Sequence, residues 1–179
     1  MMASNHDMRK IRRVYFLHGL EGSPQANKPR FLRKYYPDLI VPSLPPDIEE
    51  RHAILKETIR EPAFLAGSSL GGLSAVLFAM SFPEKVPGMA LFAPAAGLFD
   101  ESQAPPGLLK AMSRCRIPSG IPTVVIAALK DEVIPLAAIE GMIKRSPAPR
   151  RIELIKAKDD HTLGRSLDAL PGAMDRAFG

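Results

Sequence analysis

The chain has no tryptophan, one cysteine, and aromatic residues at only 6% of its 179 positions. Each scarcity excludes something. The single cysteine, Cys115, forbids an internal disulfide and suits a reducing compartment, so the cytoplasm is the expected location. Cys115 itself reads as a small packing residue. No segment approaches the roughly 20 apolar residues that a membrane span requires. The stretch from Met1 to Arg13 is polar and basic, with no apolar run of signal-peptide length. Residues 1–10 are expected to form a loose tail ahead of one domain over 11–179. No set of His, Asp and Glu shows metal-ligand spacing, so neither a metal nor a cofactor is expected. Internal repeats and low-complexity tracts are also lacking.

Positive charge is in excess, with a formal net charge of +5 and a pI near 9.5. The basic residues are scattered: Arg9-Lys10, Arg12-Arg13, Lys28, Arg30, Arg33-Lys34, Lys144-Arg145 and Arg150-Arg151. A nucleic-acid surface would gather them on one face with aromatics between them. With so few aromatics, a solvated basic surface is the better account, and neither nucleic acid nor membrane is an expected partner. Such a field favours anionic substrates. Lys28 and Arg30 are candidates to contact an acidic substrate group; the plainer alternative is a helical turn facing water. An apolar share of 46% and a charged share of 24% are ordinary for a globular domain with a real core.

What is present is more specific. Gly67-Ser68-Ser69-Leu70-Gly71, with Gly72 after it, lies between the apolar runs Ala63–Ala66 and Leu73–Met80. This reads as strand, sharp turn, helix, with Ser69 at the tip. In a G-x-S-x-G elbow the serine backbone is strained and its hydroxyl stands clear of the sheet. The flanking glycines let strand and helix approach. A β-branched run, Thr123–Ala128, is followed by Leu129-Lys130-Asp131-Glu132-Val133-Ile134-Pro135. The run Arg151–Lys156 is followed by Ala157-Lys158-Asp159-Asp160-His161. Ser69, Asp131 and His161 thus each follow a predicted strand, at the sheet edge where α/β sites form. Their order in the chain is that of one class of serine, acid and histidine triad.

The residue types suit acyl transfer. A serine hydroxyl is a poor nucleophile until a neighbouring base takes its proton. An imidazole does so near neutral pH. A carboxylate on its other nitrogen fixes the tautomer and stabilises the imidazolium formed during attack. The backbone N–H groups of Leu70 and of Leu20, which follows His18-Gly19 after the first strand, are the candidate oxyanion donors.

Over Val14 to its last helix the chain resembles the small α/β-hydrolases. His18-Gly19-Leu20-Glu21-Gly22-Ser23-Pro24 with Lys28 resembles the first loop of the YqiA-like bacterial esterases. Gly67–Gly71 and Asp131–Pro135 carry the pattern of the wider superfamily. The resemblance implies hydrolysis of an ester or related acyl bond through an acyl-enzyme, with a small-molecule ester as partner. His18, Gly19 and Lys28 are possible substrate-binding positions.

The expected fold is α/β: a minimal three-layer α/β-hydrolase sandwich with about six mostly parallel strands and no large cap. Strands are expected near 12–17, 38–41, 63–66, 87–93, 122–128 and 150–156. Helices are expected near 27–35, 47–60, 70–81, 135–144 and 163–177. The segment 97–120 stands where larger relatives insert a cap. It reads as a short lid-like insertion with one helix near Leu108–Met112, leaving an open, shallow site for short acyl groups or for an ester on a larger molecule. Asp131 is preferred to Glu132 as the acid from its place in the D-x-x-(V/I)-P pattern. Asp159 and Asp160 adjoin His161 and are poorly aimed at its ring. Ser68 is off the centre of the motif. His18 reads as a structural residue under the loop rather than a base, and His6 and His52 as surface residues. The main reading is a carboxylesterase. A thioesterase or other acyl-bond hydrolase could use the same triad, and a non-catalytic binding protein on the same fold is the contrasting alternative.

Overall fold

The computed structural model describes residues 12–179. The expected tail and His6 lie outside the described residues.

Five parallel strands form one sheet in the order of the chain: β1 (Val14–Leu17), β2 (Phe64–Ser68), β3 (Met89–Phe92), β4 (Thr123–Ala128) and β5 (Ile152–Ala157). The helices are α1 (Asn27–Leu32), α2 (Ile48–Thr58), α3 (Leu70–Ser81), α4 (Pro106–Arg114), α5 (Leu136–Lys144) and α6 (Ala169–Phe178). Every residue of β1, β3 and β4 is buried. This is why they read as continuous apolar runs rather than alternating ones.

The order of strands decides where the helices go. Parallel crossovers are right-handed, so stepping from β2 through β5 in one direction keeps the connecting helices on one face. Side chains of α2, α3, α4 and α5 do share one core cluster with Tyr15, Leu17, Leu65 and Val125. The first connection is different. After β1 the chain passes to the opposite edge, where Ile40 makes a parallel bridge to Tyr15. The bonds are Phe16 N–H to Ile40 O at 2.9 Å and Ile40 N–H to Val14 O at 3.0 Å. The direction reverses, so α1 lies on the other face. There Leu32 joins Val14, Phe16, Ala66 and the α6 side chains Leu170, Met174 and Phe178. Helices leaving β1 and β2 on opposite faces open a crevice at the carboxyl ends of these two strands, which is where such sheets bind ligands.

The sixth expected strand, 38–41, is therefore a single bridge. Pro37 and Pro42 bracket it and remove the donors that a longer ladder needs. The last helix starts at Ala169 rather than near 163, because Leu163 has a positive φ of 53° and 162–168 turn around Asp159. Within the segment expected to be lid-like, α4 enters the helix layer beside α2, burying Ala111 and Met112. Cys115 follows it, fully buried. Among the described residues no helix is long and apolar enough to cross a membrane.

Candidate active site

β2 ends at Ser68 and α3 begins at Leu70, leaving Ser69 alone between them with φ 53° and ψ −119°. No short linker could turn a strand directly into a helix if side chains filled the corner. A Cβ on Gly67 would lie 2.5 Å from the Gly71 oxygen, and one on Gly71 only 1.9 Å from the Leu17 oxygen. The strained turn is held by Ser69 N–H to Phe92 O and Ala95 N–H to Ser69 O, both 2.9 Å. Helix α3 is buried along nearly its whole length, from Leu70 to Ala79. The serine therefore stands at the start of a helix packed on nearly all sides.

The three residues expected to act together are brought together. His161 Nε2 lies 2.9 Å from Ser69 Oγ, and His161 Nδ1 lies 2.8 Å from Asp131 Oδ2. The Asp131 side chain is 2% exposed. Its other oxygen, Oδ1, accepts from the N–H groups of Val133 at 2.8 Å and Ile134 at 2.7 Å. With Oδ1 occupied by backbone, Oδ2 is left to orient the imidazole on Nδ1, and Nε2 faces the serine. Burial pushes the Asp131 carboxyl up. The hydrogen bonds from His161, Ile134 and Val133 outweigh it and hold the group below its ordinary value. Glu132 is exposed and is not part of the arrangement. The loop carrying His161 is braced by buried Asp159. That carboxylate accepts from Asp160 N–H, Arg165 N–H and the Ser166 hydroxyl, and makes no bond to the imidazole. Lys130 N–H bonds to Asp159 O at 2.9 Å, tying the loops of Asp131 and His161 together.

The loop after β1 runs against the serine: a Cβ on Gly19 would lie 3.3 Å from Ser69 Cβ and 3.9 Å from Ser69 Oγ. Leu20 follows at 56% exposure, and Leu70 opens α3. Neither N–H has a backbone acceptor among the described residues. His18, considered for substrate binding, is buried and occupied instead. Leu44 N–H donates to its Nε2 at 3.0 Å, so Nδ1 carries the proton and donates to Gly19 O at 2.7 Å. Burial lowers its affinity for a second proton, and nearby Arg51 adds to this against the Gly19 bond. Lys28 is occupied too: its ammonium donates to Thr162 O, next to His161. Burial lowers its pKa, opposed by Asp159 and Asp160. Arg30 is exposed.

One residue at this site lay outside the sequence reading. Arg51 of α2 is completely buried. Its guanidinium donates to Pro45 O at 2.6 Å, His18 O at 2.7 Å and Gly19 O at 3.2 Å. Burial holds it below the ordinary arginine value, at about 10, so it is charged at neutral pH. A signal was present. Ile48, Arg51 and Leu55 recur at helical spacing on the buried face of α2, which puts an arginine where a core residue belongs.

Leu20, Phe99 and Val133 are exposed apolar side chains. Phe99 N–H bonds to Val133 O at 3.1 Å, which fixes the stretch after β3 beside the Asp131 loop. A separate cleft of about 340 Å³ lies between α2, α3 and α4. It is lined by His52 and Arg114 and sits at the end of α3 remote from Ser69. Among the described residues no group of three His, Cys, Asp or Glu side chains could hold a metal ion.

Neither a protein-family model nor a curated protein matches the sequence. Solved structures match its fold. Alpha/beta hydrolase domain-containing protein 10 from mouse superposes with a TM-score of 0.74 at 19% identity, covering 90% of this chain and 87% of that one. Est1E from Butyrivibrio proteoclasticus gives 0.67 at 15% identity, covering 91% and 85%. A monoacylglycerol lipase from Paleococcus ferrophilus gives 0.67 at 14%, covering 90% and 93%. The chain has the α/β-hydrolase fold.

Proposed function

We propose that the protein is a serine hydrolase, a carboxylesterase acting on small or short-acyl esters. The observation that carries this reading is the unbroken chain of hydrogen bonds from Asp131 through His161 to Ser69, 2.8 and 2.9 Å long. Ser69 Oγ attacks the acyl carbon as His161 Nε2 takes its proton. Asp131 stabilises the imidazolium, and the Leu20 and Leu70 N–H groups receive the negative charge on the former carbonyl oxygen. The tetrahedral species collapses. The C–O bond to the alcohol breaks, and His161 returns the proton to that alcohol. Water, deprotonated by His161, then attacks the acyl-serine; the C–O bond to Ser69 breaks and His161 returns the proton to Ser69 Oγ, releasing the acid.

The fold of the neighbours supports this reading, as does the likeness of His18–Pro24 and Lys28 to the YqiA-like esterases. The short-acyl preference rests on the small segment after β3, whose helix α4 packs beside α2 in the helix layer. The test is labelling by a fluorophosphonate, followed by paired oxygen-ester and thioester substrates of the same acyl group. Labelling is expected in the wild type, absent in Ser69→Ala and much slower in His161→Ala. A folded wild type that neither labels nor turns over any acyl substrate would return the protein to the binding-protein alternative. Faster thioester turnover would make it a thioesterase.

A further inference from the structure

Arg51 is hard to explain as a packing residue. It occupies a core position of α2, is 0% exposed, and has no carboxylate within 4.0 Å among the described residues. Burying a charge is costly unless it is paired or hydrogen-bonded. An aliphatic side chain of similar length would fill such a position without that cost. All three of its acceptors are backbone carbonyls, and two of them, His18 O and Gly19 O, belong to the pair just before Leu20.

The Gly19 oxygen is the focus of the network. It accepts from Arg51 Nη2 at 3.2 Å, from His18 Nδ1 at 2.7 Å and from Gly22 N–H at 3.2 Å. That oxygen and the Leu20 N–H belong to one peptide group. The group is planar and trans, so the two bonds point in opposite directions. Fixing the oxygen fixes the direction of the N–H. Donors on the oxygen also draw electron density through the amide and make its N–H a stronger donor. The face of Gly19 is already against Ser69.

We propose that Arg51 and His18 are positioning residues that clamp and polarise the Gly19–Leu20 peptide, so that the Leu20 N–H is aimed at the oxyanion before substrate arrives. This rests on the serine-hydrolase reading above. An oxyanion donor is effective when it needs no reorganisation as the charge develops. Neither residue touches the reacting atoms. Both act through one amide.

The test uses the full-length protein with Arg51→Met, Arg51→Lys and His18→Gln. The readouts are steady-state kinetics on a p-nitrophenyl ester and affinity for the trifluoromethyl ketone of the same acyl group. Ser69 Oγ adds to the ketone carbonyl and His161 takes the hydroxyl proton, so the adduct carries an oxyanion where the ester does in its transition state. For Arg51→Met, kcat is expected to fall about 10- to 100-fold with KM within about twofold, since a misaimed donor loses part of what a deleted one loses. Ketone affinity should fall by the same factor as kcat/KM. Arg51→Lys, which keeps the charge with fewer directed donors, should recover part of the loss. If Arg51→Met does not fold, Arg51→Lys and His18→Gln carry the same comparison. Folded variants whose kcat and ketone affinity both stay within about twofold of wild type, or that lose only KM, overturn the proposal. A wild type that neither cleaves the ester nor binds the ketone overturns the serine-hydrolase reading instead. An active wild type indifferent to these substitutions overturns this inference alone.

Discussion

Two segments meet at Ser69 and are held by opposite means. The elbow, Gly67–Gly72, takes its shape from missing side chains: any Cβ at Gly67 or Gly71 would collide with backbone. The loop that faces it, His18–Gly22, takes its shape from added ones, with buried His18 and Arg51 bonding to its carbonyls. The elbow is encoded within six consecutive residues. The loop depends on Leu44 and Arg51, which are 26 and 33 positions from His18. A local device reads as a motif. One assembled from remote residues does not, and it can be lost by a substitution far from the site in the chain.

The largest effect should come from filling the elbow. Gly71→Ala puts a carbon 1.9 Å from the Leu17 oxygen, where only backbone can yield. We expect no folded product, or a loss of more than about 4 kcal/mol, read from urea unfolding by circular dichroism. A soluble variant with the wild-type midpoint would remove the close-approach argument. Ser69→Ala, in contrast, should cut turnover by about a millionfold and move stability by less than about 1 kcal/mol, which separates the chemistry of the elbow from its shape.

Asp131→Asn should lower kcat by about ten-thousandfold, because the amide no longer enforces the imidazole tautomer. It also gives a pH test. The Asp131 carboxyl is held below its ordinary value in the fold. The stability it contributes is therefore present above about pH 4, the unfolded value, and is lost as pH falls through the lower folded value. The gap between wild type and Asp131→Asn should narrow as pH falls below about 4. A gap unchanged down to acid unfolding would contradict the lowered pKa. The smallest effect should come from Lys28→Met, which cuts the tie between the start of α1 and Thr162. A loss of about 1 kcal/mol is expected on thermal unfolding, with kcat falling less than tenfold. A larger fall in kcat would mean that Lys28 acts on substrate, the alternative its position just past the loop after β1 offers.

The legible parts of the fold share one property. α3 begins and ends where the glycine punctuation and the apolar run Leu73–Met80 place it, and β4 is where its β-branched residues put it. Ser69, Asp131 and His161 stood out because each follows its own strand by a short loop. The apolar side chains of 38–41 suggest a strand, and the prolines at both ends limit it to one bridge. Helix α6 is shorter than its sequence suggests because nothing local announces that Asp159 caps the turns of 162–168. The sequence places His18 under the loop and Lys28 toward water or substrate, but it does not name their partners, Leu44 and Thr162, which are distant in the chain. Arg51 does not stand out in the sequence because an arginine in an acidic stretch of helix reads as a solvated charge.

The single bridge at Ile40 has a consequence for association between molecules. A parallel sheet that ended in a full strand beyond β1 would present a row of free amides to any unfolded segment nearby, a template for aggregation. Here only four residues separate Pro37 from Pro42, and Pro45 and Pro46 follow. Leu39 N–H is already bonded to Tyr36 O, and Ile40 N–H to Val14 O. An incoming strand would find almost no ladder to extend, so this margin of the sheet resists edge-to-edge growth without a helix to cover it.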